Sequence, residues 1–306
     1  MKATLPAPFF VNSRIGRFAL LGKRDEISVS LYQNGDFEPL PRRIFAGLFP
    51  AGGATVIDVG ANIGTFAIPI AMMAPSNRVH AYEPQRVVFY QLCANALLNR
   101  CANLFAERIA IGARRAGAVR LPVVDFETET NIGAVSIDPS VWRIRSLAMP
   151  DCEPALRARA FDKVRIASLD GLHRDTAVDF IKIDVEGMEA HVLRGAAGMI
   201  GRWRPIIFTE SWVLPEFAHL RREMLSDLGR LDYKVIDLGP DLLAYPRQGN
   251  RWGEIVRGKR NLVSFETGKA GRSRSKAPVG IVSSGRAAAR SSVGAAALGS
   301  RAKRKQ

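Results

Sequence analysis

From Ala54 to Thr209 the chain alternates apolar runs of four to six residues with longer stretches of helical periodicity. A strand without polar alternation must be buried on both faces, and helices between successive strands are the crossovers that make those strands parallel. The pattern therefore predicts an α/β fold: a mostly parallel sheet with helices on both faces. Strands are expected at residues 54–59, 78–82, 104–110, 118–123, 163–167, 180–185 and 206–209, with 233–236 and 262–265 as a closing pair. Helices are expected after Gly64 to about residue 74, over 86–99 and over 188–200.

The flanks read differently. Residues 1–50 are mixed and are expected to form an N-terminal addition packed on the main domain. Within them the alternation over 27–32 suggests a strand, and Asn34-Gly35-Asp36 a turn. Residues 124–160 are polar and poorly periodic, the character of a functional excursion or lid. Its Asn131-Ile132-Gly133 turn is a candidate for part of such a lid, and Trp142 is either a flat apolar wall or packing. The main domain is thus expected over 51–267, followed by a tail over 268–306.

That tail decides how the charge is read. The chain has 44 Lys+Arg against 29 Asp+Glu, a net +15 that would suit a nucleic-acid-binding protein. Ten of the basic residues lie after Gly268, in a Gly/Ala/Ser-rich segment without a single Asp or Glu, which leaves 34 against 29 over residues 1–267. The excess charge belongs to a segment expected to be disordered, able to contact acidic surfaces by charge alone. Nucleic acid is not expected as the substrate. Cys93, Cys101 and Cys152 have neither disulfide-framework nor zinc spacing. No apolar run reaches the ~18–20 residues of a membrane helix, and the first residues lack the pattern of a secretory signal. A cytoplasmic protein is expected.

The chemistry concentrates in Asp58-Val59-Gly60-Ala61-Asn62-Ile63-Gly64, at the end of the first strand. Gly60 permits a sharp turn and close approach of backbone to a ligand, and Gly64 permits the next helix to pack near the strand. Asn62, at the middle position, is the non-glycine residue that best tolerates positive φ. Glu83 ends the following strand, where a carboxylate can accept hydrogen bonds from both ribose hydroxyls. Turn and carboxylate together indicate a nucleoside-bearing cofactor. Asp58 discriminates between the two main classes: it would repel a pyrophosphate but favour the sulfonium and ammonium of S-adenosylmethionine. Cofactor-binding candidates are therefore Asp58, Gly60, Asn62, Gly64 and Glu83.

These segments, with Tyr82-Glu83-Pro84, Ser168-Leu169-Asp170, Phe180-Ile181-Lys182-Ile183-Asp184-Val185-Glu186-Gly187-Met188-Glu189, Val192-Leu193-Arg194-Gly195-Ala196 and Arg204-Pro205-Ile206-Ile207-Phe208-Thr209-Glu210, resemble the FkbM family of S-adenosylmethionine-dependent methyltransferases. The resemblance runs from about residue 50 to 212. It implies a class I methyltransferase fold, a Rossmann-like seven-stranded mostly parallel sheet closed by an antiparallel hairpin. It also implies O-methylation of a hydroxyl on a sugar, lipid or secondary metabolite.

Asp184 is expected to face the crevice at the end of a strand adjoining the first, with Lys182 two residues earlier on the same face. Glu186 and Glu189 follow at a helix start, and Glu210 ends the next strand. Methyl transfer from a sulfonium needs in-line positioning and, for an alcohol, removal of its proton. Asp184, Glu186 and Glu210 are the catalytic candidates. Glu189 reads more simply as a charge on the helix dipole, His173 as a loop residue and His191 as a helix exterior position. No metal is assigned, although two or three strand-end carboxylates could hold magnesium. Two other functions fit parts of the pattern: an RNA or DNA methyltransferase, and a non-catalytic cofactor-binding module tethered by its basic tail.

Overall fold

The structure is a computed structural model that describes residues 7–248 apart from 115, 125, 127–130 and 149–159. The expected strand at 262–265, the basic tail and Cys152 lie outside the described residues. The chain opens with an antiparallel hairpin, β1 (Phe9–Ser13) and β2 (Gly16–Leu20), then α1 (Glu26–Asn34) and α2 (Pro39–Leu48). Residues 27–32 are thus helix, not strand. Asp25 caps α1 by accepting the Ser28 N–H at 3.0 Å, and Gly35 ends it with φ of 68°. Ile27, Ser28 and Leu31 are its buried residues, a helical spacing that the alternating hydroxyl residues disguise.

The regular alternation then begins as expected, with β3 (Thr55–Val59), α3 (Ala67–Met73), β4 (Arg78–Tyr82), α4 (Arg86–Leu98) and β5 (Leu104–Glu107). The next expected strands form, but elsewhere. β6 (Ala110–Ile111), β7 (Ala116–Pro122) and, after α5 (Pro139–Ala148), β8 (Phe161–Ala167) make a separate three-stranded sheet in the order β6-β8-β7. β7 and β8 pair antiparallel and are exposed along much of their length, the pattern of a sheet solvated on one face. After α6 (Leu169–His173) the chain returns to the main sheet with β9 (Phe180–Ile183). The expected helix over 188–200 is two, α7 (Glu189–Gly195) and α8 (Ala197–Trp203), which lead to β10 (Ile206–Glu210). Then come α9 (Ala218–Arg230), β11 (Tyr233–Asp237) and β12 (Asp241–Pro246).

The main sheet has seven strands in the order β5-β4-β3-β9-β10-β12-β11, and only β12 runs against the rest. It is the class I methyltransferase sheet: Rossmann-like, mostly parallel, with an antiparallel end. β11 pairs antiparallel with β12. Residues 238–240 make a tight connection in which Asp237 accepts the Gly239 N–H at 3.0 Å. Chain order reverses between β3 and β9, so the crevice at their carboxyl ends is the topological switch point where open α/β sheets bind ligands.

Both sheet faces are covered. Val56 and Phe180 pack into one apolar cluster, and their neighbours Ile57 and Ile181 into the other. The first cluster receives Ile27, Leu31, Ile44, Phe45 and Leu48 from α1 and α2. Phe180 is its hub, with its ring centroid 5.4 Å from that of Phe45 and 5.9 Å from that of Phe66.

Candidate functional site

A cavity opens at the carboxyl ends of β3, β4, β9 and β10. Gly60, Asn62, Glu83, Gln85, Ile109, Ala110 and Ile111 line one side of it. Asp184, Glu186 and Glu210 line the other, with Phe37 and Glu38 from the N-terminal segment. Asn131, Gly133 and Val135 also line it.

The turn after β3 has the conformation its residues suggest. Gly60 has φ of +80° and Asn62 of +51°. A Cβ at Gly60 would lie 1.7 Å from the carbonyl oxygen of Asp184, so the close approach glycine permits is first to the neighbouring strand end. Gly64 (φ +96°) faces away from the cavity, where Ile68 and Leu92 would meet a Cβ at 2.6 and 2.9 Å. Glu83 is buried and accepts the Asn62 N–H at 3.0 Å on Oε2 and the Gln85 N–H at 2.8 Å on Oε1. Burial pushes its carboxyl up to about 7, with Asp58 and Asp184 adding to the effect against those two N–H bonds. Gln85 in turn donates to the Ile132 carbonyl at 3.1 Å, and Ile132 N–H donates to Asp25 at 3.1 Å. The 131–133 turn is thereby tied to Gln85 and Asp25, and it lies against Asn62, whose Nδ2 a Cβ at Gly133 would meet at 2.0 Å.

On the opposite rim Lys182 Nζ stands 2.8 Å from Asp184 Oδ2. Lys182 and Asp58 are lateral partners on adjoining strands. Burial pulls the Lys182 ammonium down, but Asp184, Asp58 and Glu38 more than offset it and hold the group well above the usual lysine range. Asp58 is fully buried and neither of its oxygens has a hydrogen-bond partner among the described residues. Burial pushes it up to about 6 against the nearby Lys182 charge. Glu186, with φ of 57°, pairs with Arg145 of α5. Arg145 also donates to the Ala134 carbonyl at 2.6 Å and lies over the Trp212 ring, 4.6 Å from its centroid. Burial raises Glu186 to about 7 despite Arg145.

Glu189 is not a simple helix-end charge. It is buried, and its Oε1 accepts the Val185 N–H at 3.2 Å and the Gly187 N–H at 3.1 Å, shaping the loop that carries Glu186. Burial lifts it to about 7. Glu210 is raised well above its ordinary value by burial, then by Glu186, Asp184 and Glu189. Carboxylate oxygens of Asp184, Glu186 and Glu210 all lie within 4.8 Å of one another.

Of the eight residues singled out from the sequence, Gly60, Asn62, Glu83, Asp184, Glu186 and Glu210 meet in this cavity. Asp58 and Gly64 do not line it: Asp58 sits behind the wall beside Lys182, and Gly64 packs against helices. Glu38, Phe37, Gln85 and Arg145 were not legible from spacing, because tertiary packing alone brings them to the site. Glu38 sits just before Pro39 with φ of 45°, a backbone kink at the start of α2. His173 ends α6 and is buried with its Nε2 against the Tyr82 hydroxyl, a packed pair rather than a loop residue. Trp142 donates its indole N–H to the Ser136 carbonyl at 2.7 Å and packs on Phe161, away from the cavity. Among the described residues no helix is long and apolar enough to cross a membrane. The arrangement can hold a nucleoside-bearing cation on the Glu83 side and receive a proton on the opposite rim.

Comparison with known proteins gives one family match: the methyltransferase FkbM domain, over residues 58–235, more than half of the chain. A curated relative, 31-O-demethyl-FK506 methyltransferase FkbM of Streptomyces tacrolimicus, is 29% identical over 161 residues, covering 47% of this chain and 59% of the relative. The match therefore spans about three fifths of that protein. Among solved structures, methyltransferase FkbM from Methylobacillus flagellatus KT is similar at 20% identity and a TM-score of 0.42, over 70% of this chain and 49% of that one. Aeropyrum pernix fibrillarin, solved with natively bound S-adenosyl-L-methionine, is similar at 14% identity and a TM-score of 0.36, over 67% and 72% of the two chains.

Proposed function

The chain belongs to the FkbM methyltransferase family, and from that premise we propose that it is an S-adenosylmethionine-dependent O-methyltransferase acting on a hydroxyl of a carbohydrate, lipid or secondary-metabolite acceptor. One observation carries the proposal. The switch-point cavity joins a glycine turn, a strand-end carboxylate at Glu83 and a second carboxylate rim in one enclosure. The name of the S. tacrolimicus relative, which describes methylation at an oxygen, supports the choice of a hydroxyl acceptor.

The residues fit the cofactor. Gly60 has no side chain where the turn meets the cavity, and Glu83 is fixed by two backbone N–H groups with its carboxylate on the cavity wall. Glu83 would accept hydrogen bonds from the ribose hydroxyls, and the carboxylates around the cavity favour a ligand with net positive charge. When bound, S-adenosylmethionine supplies a methyl group already activated on a sulfonium. The chain then has two tasks: to hold the acceptor hydroxyl in line, and to take its proton.

The Asp184, Glu186 and Glu210 rim is the side on which that proton would be received. Lys182 and Arg145 position the first two, so that a carboxylate and its counter-charge reach the reacting oxygen as a unit. Asn131, Gly133, Val135 and Ile137, with Phe37 and Glu38, are the walls the acceptor would meet. The acidic rim also disfavours a nucleic-acid substrate, whose binding depends on neutralising phosphates. Cys93 and Cys101 are unbridged among the described residues, in keeping with a reducing cytoplasmic setting.

Calorimetry tests it. The full-length chain is expected to bind S-adenosylhomocysteine at about micromolar Kd, and Gly60→Arg to abolish that binding. Absence of binding by the folded wild-type chain would overturn the proposal.

A further inference from the structure

We propose that Asp184, Glu186 and Glu210 hold a hard divalent cation, of the magnesium, calcium or manganese class, on the acceptor side of the cavity. Carboxylate oxygens from the three residues converge within 4.8 Å of one another, a separation that ligands of a single six- to eight-coordinate ion span. They come from two neighbouring strand ends, β9 and β10, and the loop after β9, so the sheet itself fixes their convergence.

A second observation points to a missing ligand. Glu210 Oε2 is shut off from solvent with no hydrogen-bond partner among the described residues, the Trp212 side chain acting on the carboxyl as a whole, and the residue lines the cavity. Buried carboxylate oxygens are ordinarily satisfied, and leaving one without a partner is costly. The surrounding charge makes the same point. Glu38, Asp58, Glu189 and Asp241 lie close enough to act on the rim electrostatically, and Lys182 and Arg145 are the cations paired with it among the described residues. Even with a cofactor of net charge +1 in the cavity, the carboxyl groups here outnumber the cations that pair with them among the described residues.

The donor set selects the metal class. Three carboxylates without a Cys or His ligand suit an oxygen-seeking ion rather than zinc or copper. Lys182 grips one oxygen of Asp184 and Arg145 one oxygen of Glu186, the kind of outer contact that aims metal-binding carboxylates. A bound ion with an open coordination position would take up the acceptor hydroxyl and lower its pKa, so that its proton passes to a rim carboxylate oxygen that the ion does not hold as the hydroxyl oxygen takes the methyl group in the transfer proposed above. Only this last step rests on the proposed O-methylation; binding of the ion does not.

The experiment uses the full-length, chelator-treated chain, titrated calorimetrically with Mg²⁺, Ca²⁺ and Mn²⁺, with Mn²⁺ also followed by electron paramagnetic resonance. S-adenosylhomocysteine binding is measured on the same samples. One ion per chain is expected, bound at least tenfold more weakly in Glu210→Gln and in Asp184→Asn, while S-adenosylhomocysteine still binds both variants. If one variant fails to fold by circular dichroism, the other carries the comparison. If wild-type protein that binds S-adenosylhomocysteine takes up none of the three ions at millimolar concentration, the inference is overturned. It is equally overturned if both variants bind the ion as wild type does. Ion binding without S-adenosylhomocysteine binding would instead sustain the cation site and remove the methyltransferase proposal.

Discussion

At Gly60 the backbone turns with φ of +80°, and any side chain would be driven into the Asp184 carbonyl 1.7 Å away. That contact is backbone, which cannot rotate aside. At Gly64 the obstacles are the far ends of Ile68 and Leu92, which can move. Gly60→Ala should therefore cost more than about 2 kcal/mol and separate β3 from β9, whereas Gly64→Ala should cost roughly half as much. Denaturant unfolding of the two variants checks the order. The motif's spacing marked both glycines, and Asn62 adopts the positive φ its type suggests. What spacing could not show is which partner each glycine approaches, because β9 enters more than a hundred residues later. Asp58 illustrates the same limit. Its position in the motif suggests contact with a cofactor, but its rank in the strand places it behind the wall, facing the lateral Lys182.

Among the elements, those with continuous apolar runs were readable and those shaped by capping or packing were not. β3, β4 and β9 follow directly from runs that only a doubly covered sheet can bury. α1 looks like a strand until Asp25 and Gly35 are recognised as its caps. β12 is recognisable only once residues 238–240 are seen as a tight connection that brings Asp241–Pro246 back beside β11. α5 looks like part of an excursion, yet its Arg145 joins Glu186, Ala134 and Trp212. Removing one partner of such a buried ion pair typically costs about 3–5 kcal/mol, so Arg145→Ala should lower Tm clearly and weaken the seating of the 131–148 segment. Thermal unfolding and amide exchange over that segment check this. Phe180→Ala should cost about 3–5 kcal/mol, because its ring packs with Phe45 of α2 and Phe66 just before α3. Chemical denaturation measures it directly.

For the whole molecule, the balance of charge in space matters more than its total. Glu38, Glu83, Glu186 and Glu189 are raised to about 7, and Asp58 and Asp241 to about 6, with burial the leading cause in each. Carboxyls held above their unfolded values stabilise the fold most at low pH, and that contribution is lost as pH rises through about 6 to 7. His80 and His173, lowered to about 4 mainly by burial, act in the opposite sense below their unfolded value near 6.5 and are silent above it. The ligand-free chain should therefore lose Tm between pH 6.5 and 8, and saturating S-adenosylmethionine should reduce that loss. A pH series of melting curves with and without the cofactor tests both parts. The ten basic residues after Gly268 lie outside residues 58–235, the part that matches the family, so truncation after residue 267 is expected to leave cofactor affinity unchanged.

Transfer of a methyl group from S-adenosylmethionine to a hydroxyl is followed by isotope label. The full-length chain, supplied with methyl-labelled S-adenosylmethionine, would be incubated separately with glycan, lipid, small-molecule and nucleic-acid fractions. Label is expected in a glycan, lipid or small-molecule product as a methyl ether, and is expected to disappear with Gly60→Arg. Label in RNA or DNA, or none in any fraction with protein shown to bind the cofactor, would contradict the account.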